Sequence, residues 1–461
     1  MKNVALKNQF VFITFISSFF IGSVALAQSD KFDKFFGENG VASFETGEGL
    51  LDTPGKVLTL ASGRILVVSN LMKTSFQFPS GRLPDGISIV AFDKNGKVDT
   101  SFGSKGQLIF RESGIGASAE AQLRYGDAVG FSNNEFLVSG SASNYGTTSR
   151  YTQIAMRRYL ASGEEDTTFG DNGIFKKVID IQAEDSMPDR KQIIMPRDDG
   201  YLVKYRISNQ IESPGEAIFK LNLNGEIDAT FGHGKNHSIF LPSFPKETNF
   251  LYDLLPYQDG YLMSVLLIEN NTGGNSQWAY IAKLNSDFTI NENFGKNGWV
   301  ASQDRWARVV KLIPSSDGGF FTVHQNSRET SIGHEPEIKI TKYFPDGSLN
   351  EDFGKRGVVN LTPNDRSQSV NDVFSINGKI VVTFGGKTED GQTRNAGVSV
   401  VDENGKVQKI LGAKGALLIP QDENGISYIG STPTKCHLIV ANIIDPHHSS
   451  STMQLRKLLI P

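Results

Sequence analysis

Val98-Asp99-Thr100-Ser101-Phe102-Gly103-Ser104-Lys105-Gly106 decides how this chain is read, because the pattern returns along its length. An acidic or amide residue, two variable residues and then Phe-Gly-x-x-Gly recur at Asp33 to Gly40, Asp166 to Gly173, Asn291 to Gly298 and Asn350 to Gly357. A variant from Asp228 to Gly234 carries its second Gly one position early, as Phe231-Gly232-His233-Gly234. A worn copy from Gln408 to Gly415 has Leu411 in place of Phe before Gly412. The marks are therefore Phe36-Gly37, Phe102-Gly103, Phe169-Gly170, Phe231-Gly232, Phe294-Gly295, Phe353-Gly354 and Leu411-Gly412. Successive Gly residues stand 58 to 67 positions apart, about 62 on average, which is longer than the usual solenoid repeats and suits a propeller blade.

Between the marks each unit has the same interior. Val57 to Ala61 is an apolar run, Ser62-Gly63 a turn, Ile65 to Ser69 a second run and Ile87 to Phe92 a third. Asn95-Gly96 is the next turn, and Lys97 to Phe102 leads into the motif. Runs of this length, rich in Val, Ile and Phe and split by Gly turns, read as strands joined by hairpins. The late turn repeats as Ser162-Gly163, Asn224-Gly225, Asp346-Gly347 and Asn404-Gly405. The expected unit is a four-stranded sheet in which the motif Phe closes the fourth strand and packs between units. Its full burial is worth roughly 1.5–3 kcal/mol. The Gly after it turns the chain toward the next unit, and the acid or amide three residues earlier bonds nearby turn amides.

One such sheet cannot bury both faces, so the units must stack, and closing the stack leaves only short edges. The expected fold is all-β, a seven-bladed propeller of four-stranded antiparallel blades over residues 28–461. Met453 to Ile460 matches a third strand with no fourth after it. The strand Lys31 to Phe36 is expected to supply the missing one and close the ring.

Residues 1–27 carry Lys2 and Lys7, then the apolar run Phe10 to Val24, then Ala25-Leu26-Ala27. That order is the signature of a cleaved export signal, with Gln28 as the new N-terminus. Thr14, Ser17, Ser18, Gly22 and Ser23 dilute the run, so stable membrane insertion is not expected once the signal is removed. The expected location is the periplasm, the cell surface or the medium. The remaining chain carries 44 basic and 50 acidic side chains, a net charge of −6, with no basic cluster to drive nucleic acid binding. Cys436 is the only cysteine, so no intramolecular disulfide can form.

Val98-Asp99-Thr100-Ser101-Phe102-Gly103 and Glu165-Asp166-Thr167-Thr168-Phe169-Gly170, with Gly378-Lys379-Ile380-Val381-Val382 between such marks, resemble the delta-60 repeat family. The resemblance covers essentially all of the chain after residue 27. It implies an exported bacterial protein with a propeller-like fold and brings no catalytic set with it. The shifted Gly of the fourth copy and the missing Phe of the seventh depart from the pattern and loosen the register there.

Motifs for chemistry are sparse. Gly385-Gly386-Lys387-Thr388 ends like a phosphate-binding loop, but Val381 stands where the first Gly is required and no helix pattern follows. Gly114 to Ala119 fits a dinucleotide fingerprint only formally. His233, His237, His324, His334, His437, His447 and His448 show no zinc-ligand spacing on a helix, so no metal site is expected. Asp93 to Asp99 and Asn222 to Asp228 look like calcium loops but are explained as hairpin turns, with Lys94 and Lys97 weakening any cation site. No Gly-x-Ser-x-Gly elbow is present, and no cofactor is indicated. Paired carboxylates from separate blades remain open, because a propeller gathers its blades around one channel.

The ends of the second runs, Ser69, Gly140, Arg206, Leu266, His324, Phe384 and Asn442, are expected to line one rim. Their mixture argues for an irregular binding surface, with Arg206 and His324 as candidate ligand contacts. Trp278, Trp299 and Trp306 are expected in the core, with a sugar- or protein-binding patch as the alternative. The expected function is a non-catalytic, monomeric binding propeller presenting variable loops to a protein or glycan. The alternative is a propeller hydrolase, lyase or lactonase with its site at the channel mouth.

Overall fold

Each apolar run becomes a strand, and the strands group in fours. The computed structural model describes residues 31–46, 50–74, 82–111, 123–145, 150–180, 192–207, 215–232, 237–242, 248–271, 274–305, 308–330, 333–361, 368–387, 394–409, 415–419, 430–434, 437–444 and 452–460. The segment 1–27, Gly114 to Ala119, His233, Gly234, Trp306, Leu411, Gly412, Cys436, His447 and His448 lie outside the described residues.

Strand β1 (Ala42–Glu45) precedes blade 1, made of β2 (Leu50–Thr59), β3 (Ile65–Thr74), β4 (Arg82–Phe92) and β5 (Gln107–Phe110). Blade 2 is β6 (Arg124–Gly130), β7 (Phe136–Tyr145), β8 (Arg150–Tyr159) and β9 (Ile174–Asp180). Blade 3 is β10 (Ile193–Arg197), β11 (Gly200–Ile207), β12 (Gly215–Leu221) and β13 (Ser238–Phe240). Blade 4 is β14 (Thr248–Tyr257), β15 (Gly260–Asn271), β16 (Gly274–Leu284) and β17 (Trp299–Arg305). Blade 5 is β18 (Arg308–Pro314), β19 (Phe320–Thr330), β20 (Gly333–Tyr343) and β21 (Val358–Leu361). Blade 6 is β22 (Gln368–Ile376), β23 (Lys379–Lys387), β24 (Arg394–Asp402) and β25 (Ala416–Ile419). Blade 7 is β26 (Gly430–Pro433), β27 (His437–Ile444) and β28 (Thr452–Leu459), completed by β1. Every pairing is antiparallel and sequential within its blade, so the chain is a seven-bladed β-propeller.

The hydrophobic core is distributed between blades. Seven clusters of buried apolar residues are resolved, one at each blade interface. An open array of seven blades would have six. The closing cluster joins Phe36, Ala42, Ile439 and Met453 of blade 7 to Val57, Val67 and Phe92 of blade 1.

Two expectations about strands need correction. The motif does not end the fourth strand; it lies in the connection between the third and fourth. Lys97 to Phe102 makes only one bridge, Phe92 to Val98, and the fourth strand β5 begins after Gly106. For the same reason the ring is closed by β1, paired from Ala42↔Leu455 to Glu45↔Thr452, and not by Lys31 to Phe36. That earlier segment adds a bridge from Phe32 to Leu458. The physical reason is that the Asn-Gly turn and the motif form one continuous loop, whose main-chain groups bond within it. Phe102 N–H, for example, donates to Asp99 O at 3.0 Å and Gly106 N–H to Phe102 O at 2.9 Å.

The two faces of the ring differ. Third-to-fourth connections are nearly uniform, as in 93–106, 160–173, 285–298 and 344–357. They leave from the face that also carries the first-to-second hairpins. From the opposite face, the connections between blades range from 111–123 before blade 2 to 306–307 before blade 5.

Candidate functional site

The first strands of neighbouring blades touch one another around the axis, and one register position on them gathers charge. In the second strands, Val68, Ser139, Lys204, Ser264, Val323, Thr383 and Ala441 occupy equivalent places. Opposite them stand Lys56, Asp127, Ile193, Asp253, Lys311, Asp372 and Gly430. Three carboxylates and two ammonium groups from five blades thus form a collar at the inner edge of the ring.

A β-bulge sets each charged position. The pairing register shifts immediately before Lys56, Asp127, Asp253, Lys311 and Asp372. Ile193 and Gly430 instead open their strands, without a shift. An extra residue re-aims the side chain and breaks the ladder locally, freeing main-chain groups. The carboxylates take up those groups. Asp127 accepts its neighbour's Ala128 N–H at 2.8 Å and, from the next blade, Ile194 N–H at 2.9 Å. Asp253 accepts Leu312 N–H of the next blade at 2.9 Å, and Asp372 accepts Val373 N–H at 2.9 Å. The aspartate positions face hydroxyls across the ladder, Ser139, Ser264 and Thr383, whereas the lysine positions face Val68 and Val323.

The ammonium groups sit between blades. Lys56 Nζ lies 3.6 Å from Asp127, and Lys311 Nζ lies 3.2 Å from Asp253. Both lysine side chains keep 39% of their exposure, while Asp253 keeps 5%, so the carboxylate is recessed and the ammoniums face the channel. The Asp253 charge pushes the Lys311 ammonium above its ordinary value against the opposing effect of burial, with Asp372 and Asp127 adding to it. The collar is therefore one electrostatic unit reaching from blade 2 to blade 6. Its carboxylates work chiefly as acceptors of main-chain N–H bonds and partners of lysine, a structural arrangement across blades.

The positions expected to line a rim fall elsewhere. Ser69, Leu266, His324 and Phe384 are 3% exposed or less, because the second strands continue well past them. His324 lies inside β19 opposite Val309, with its Nε2 against the Thr322 hydroxyl. Arg206 sits opposite Glu216 in β11, one residue beyond the true equivalent Tyr205. The side chains of Arg206, Asn442, His334 and Trp278 lie outside the described part. Trp299 is partly buried between blades 3 and 4, edge-on to Tyr280 at 6.4 Å, which is core packing.

The look-alike motifs resolve as turns and strands. Asp93 Oδ1 accepts Asn95 and Lys97 N–H, and Asn222 Oδ1 accepts Asn224 and Glu226 N–H, so both calcium-like loops are Asx-stabilised hairpins. Gly385 and Gly386 are ladder residues of β23. Among the described residues no three His, Cys, Asp or Glu side chains are placed to hold a metal, and no helix is long and apolar enough to cross a membrane. The collar itself was not read from the sequence. Its trace is a charged residue followed by two apolar ones at the start of the first run, as in Asp127-Ala128-Val129, Asp253-Leu254-Leu255 and Lys311-Leu312-Ile313.

No protein-family model matches the chain, and no curated protein does. Solved structures resemble it in outline. A protein of unknown function from Dyadobacter fermentans matches with a TM-score of 0.44 at 9% identity, covering 92% of this chain and 100% of that one. An α-L-arabinanase from Penicillium chrysogenum, complexed with arabinobiose, matches at 0.41 and 13% identity over 79% of this chain and 98% of the other. Drosophila plexin A, in complex with semaphorin 1b, matches at 0.40 and 10% identity over 90% and 86%. Likeness at this level carries no argument about activity.

Proposed function

We propose that the chain is an exported binding propeller that offers one face of its ring to a protein or glycan, at the cell surface, in the periplasm or in the medium. The observation that carries this reading is the contrast between the two faces. One face repeats a single connection whose parts hold neighbouring blades together. The other joins the same strands by connections that run from two residues (306–307) to thirteen (111–123). A rigid ring bearing unequal connections on one side is how recognition surfaces are carried on repeat scaffolds. The leader at residues 1–27 and the likeness of the repeats to the delta-60 family support export.

A hydrolase, lyase or lactonase is the second reading, favoured by the three carboxylates of one collar. Their bonds to main-chain N–H groups on neighbouring blades weigh against it. The deciding experiment sets the chain from Gln28 onward against a glycan panel, by calorimetry and thermal unfolding, beside a variant whose 111–123 connection is cut to two residues. Binding raises the melting temperature of the first protein. The shortened variant is expected to keep its unliganded melting temperature and lose that rise. Equal shifts in both proteins would move the site away from the 111–123 connection, and turnover of any glycan would favour the hydrolase.

A further inference from the structure

The outer wall of the ring carries one edge unlike the rest. The outermost strands β1, β5, β13, β21 and β25 are three or four residues long, which is how sheets keep their edges from recruiting other chains. Only β9 and β17 reach seven. The pairing of β17 with β16 is broken by a register shift between Trp278 and Tyr280. β9 pairs with β8 over its whole length without a shift, from Tyr151↔Asp180 to Arg157↔Ile174. It ends its sheet, so among the described residues no strand lies along its outer edge. A long, regular edge is the geometry to which another strand adds.

The side chains of β9 name the occupant. Phe175 and Lys177 turn inward against blade 3, with Lys177 Nζ 5.1 Å from the centre of the Phe219 ring. Alternation puts Lys176, Val178 and Asp180 on the other face, where Lys176 is exposed and Val178 keeps 55% of its surface in water. An exposed lysine on an edge ordinarily repels incoming strands. Here the row Lys176, Val178, Asp180 is complementary to its own reverse. Turned about a two-fold axis at Val178, an antiparallel copy sets Val178 against Val178 and Lys176 against Asp180 at both ends. A shift of the axis to Lys177 sets two lysines against each other, so the charges select one register.

We propose that β9 is a self-association edge, which pairs with β9 of a second copy of this chain in that register. So short a contact falls below the roughly 1,200–2,000 Å² of a standard stable interface, so the dimer is weak and concentration-dependent. This inference is independent of the binding reading above.

Sedimentation equilibrium of the chain from Gln28 onward tests it, with Lys176→Glu, Asp180→Lys, the double exchange and Val178→Lys compared by the same method. The expected results are a reversible dimer for the unaltered protein and, for each single charge exchange, a dissociation constant raised by roughly tenfold, because both end pairs become repulsive together. The double exchange restores the dimer, and Val178→Lys, which faces two ammoniums on the axis, abolishes it. Circular dichroism melting checks that each variant is folded, and Val178→Lys stands in for any that is not. A monomer at every concentration overturns the proposal. So does a dimer indifferent to the single exchanges, or a double exchange that fails to restore it.

Discussion

The glycine after each motif phenylalanine answers to two neighbours at once. Gly170 has φ of 64°, and a Cβ there would stand 2.4 Å from the carbonyl oxygen of Ile174, so only glycine fits the loop. Its N–H donates to Asn224 O of the next blade at 2.6 Å, while Phe169 lies against Gly225 of that same turn, 2.6 Å from where a Cβ would be. The Phe-Gly of one blade and the Asn-Gly of the next are thus two halves of one contact. Where one half changes, so does the other: blade 4 has Phe288 with φ of 66° at the turn position, stacked on Tyr261, and Phe231 of the irregular copy meets it edge-on at 6.1 Å. Gly170→Ala is expected to destabilise by at least about 1–2 kcal/mol from backbone strain alone, read by urea unfolding. Arg158 completes the contact, bonding Asp166 at 2.7 Å and Leu223 O of blade 3 at 2.5 Å. Burial raises the Asp166 carboxyl, but bonds from Thr168 and Arg158 outweigh it and hold it below its ordinary 3.8; Asp99 behaves likewise with Ser101 and Arg64. A folded-state value below the unfolded one means this stabilisation is complete above the unfolded value and is lost as pH falls below about 3.8 and through the folded value. Asp166→Asn should flatten the acid arm of the stability curve, measured by urea midpoints across that range. In the collar, Asp253→Ala strands the Leu312 N–H and the Lys311 ammonium together and is expected to cost about 1.5–3 kcal/mol.

At the scale of elements, the first three strands of each blade were legible because alternating or continuous apolar runs between Gly turns have no other stable reading. The fourth strand was misplaced by one loop. Lys97 to Phe102 has strand-like composition, yet Asp99 turns the chain by accepting Ser101 N–H at 3.1 Å, and local side-chain bonding overrides propensity. The same displacement moved the closing strand from Lys31–Phe36 to Ala42–Glu45. Phe36, 1% exposed, remains the knob that this segment drives into blade 1. Phe36→Ala is expected to cost about 3–5 kcal/mol, in the range of other buried phenylalanines. Calorimetry of that variant beside Phe35→Ala, whose side chain is 94% exposed, separates burial from composition. The bulges that aim the collar were not legible, because a one-residue insertion in a first strand leaves no mark unless seven strands are laid in register.

For the whole molecule, closure makes every blade a neighbour of two others, so no blade is terminal and fraying has no starting point. Denaturant unfolding is expected to be one cooperative transition, and removal of residues 28–45 to lower its midpoint and split it, by circular dichroism and fluorescence together. The sequence by itself determined the number of blades, the hairpin order and the all-β class, since these follow from local patterns repeated at a fixed period. It also contained the Phe-Gly and Asn-Gly pairs, without showing that they meet. Only the tertiary structure decided that each pair spans two blades, that His324 is enclosed, and that Lys56, Asp127, Asp253, Lys311 and Asp372 share one collar. The reason is distance along the chain: a repeat specifies its own strands by nearest-neighbour chemistry, whereas residues roughly 60 positions apart or more become neighbours only when the ring closes.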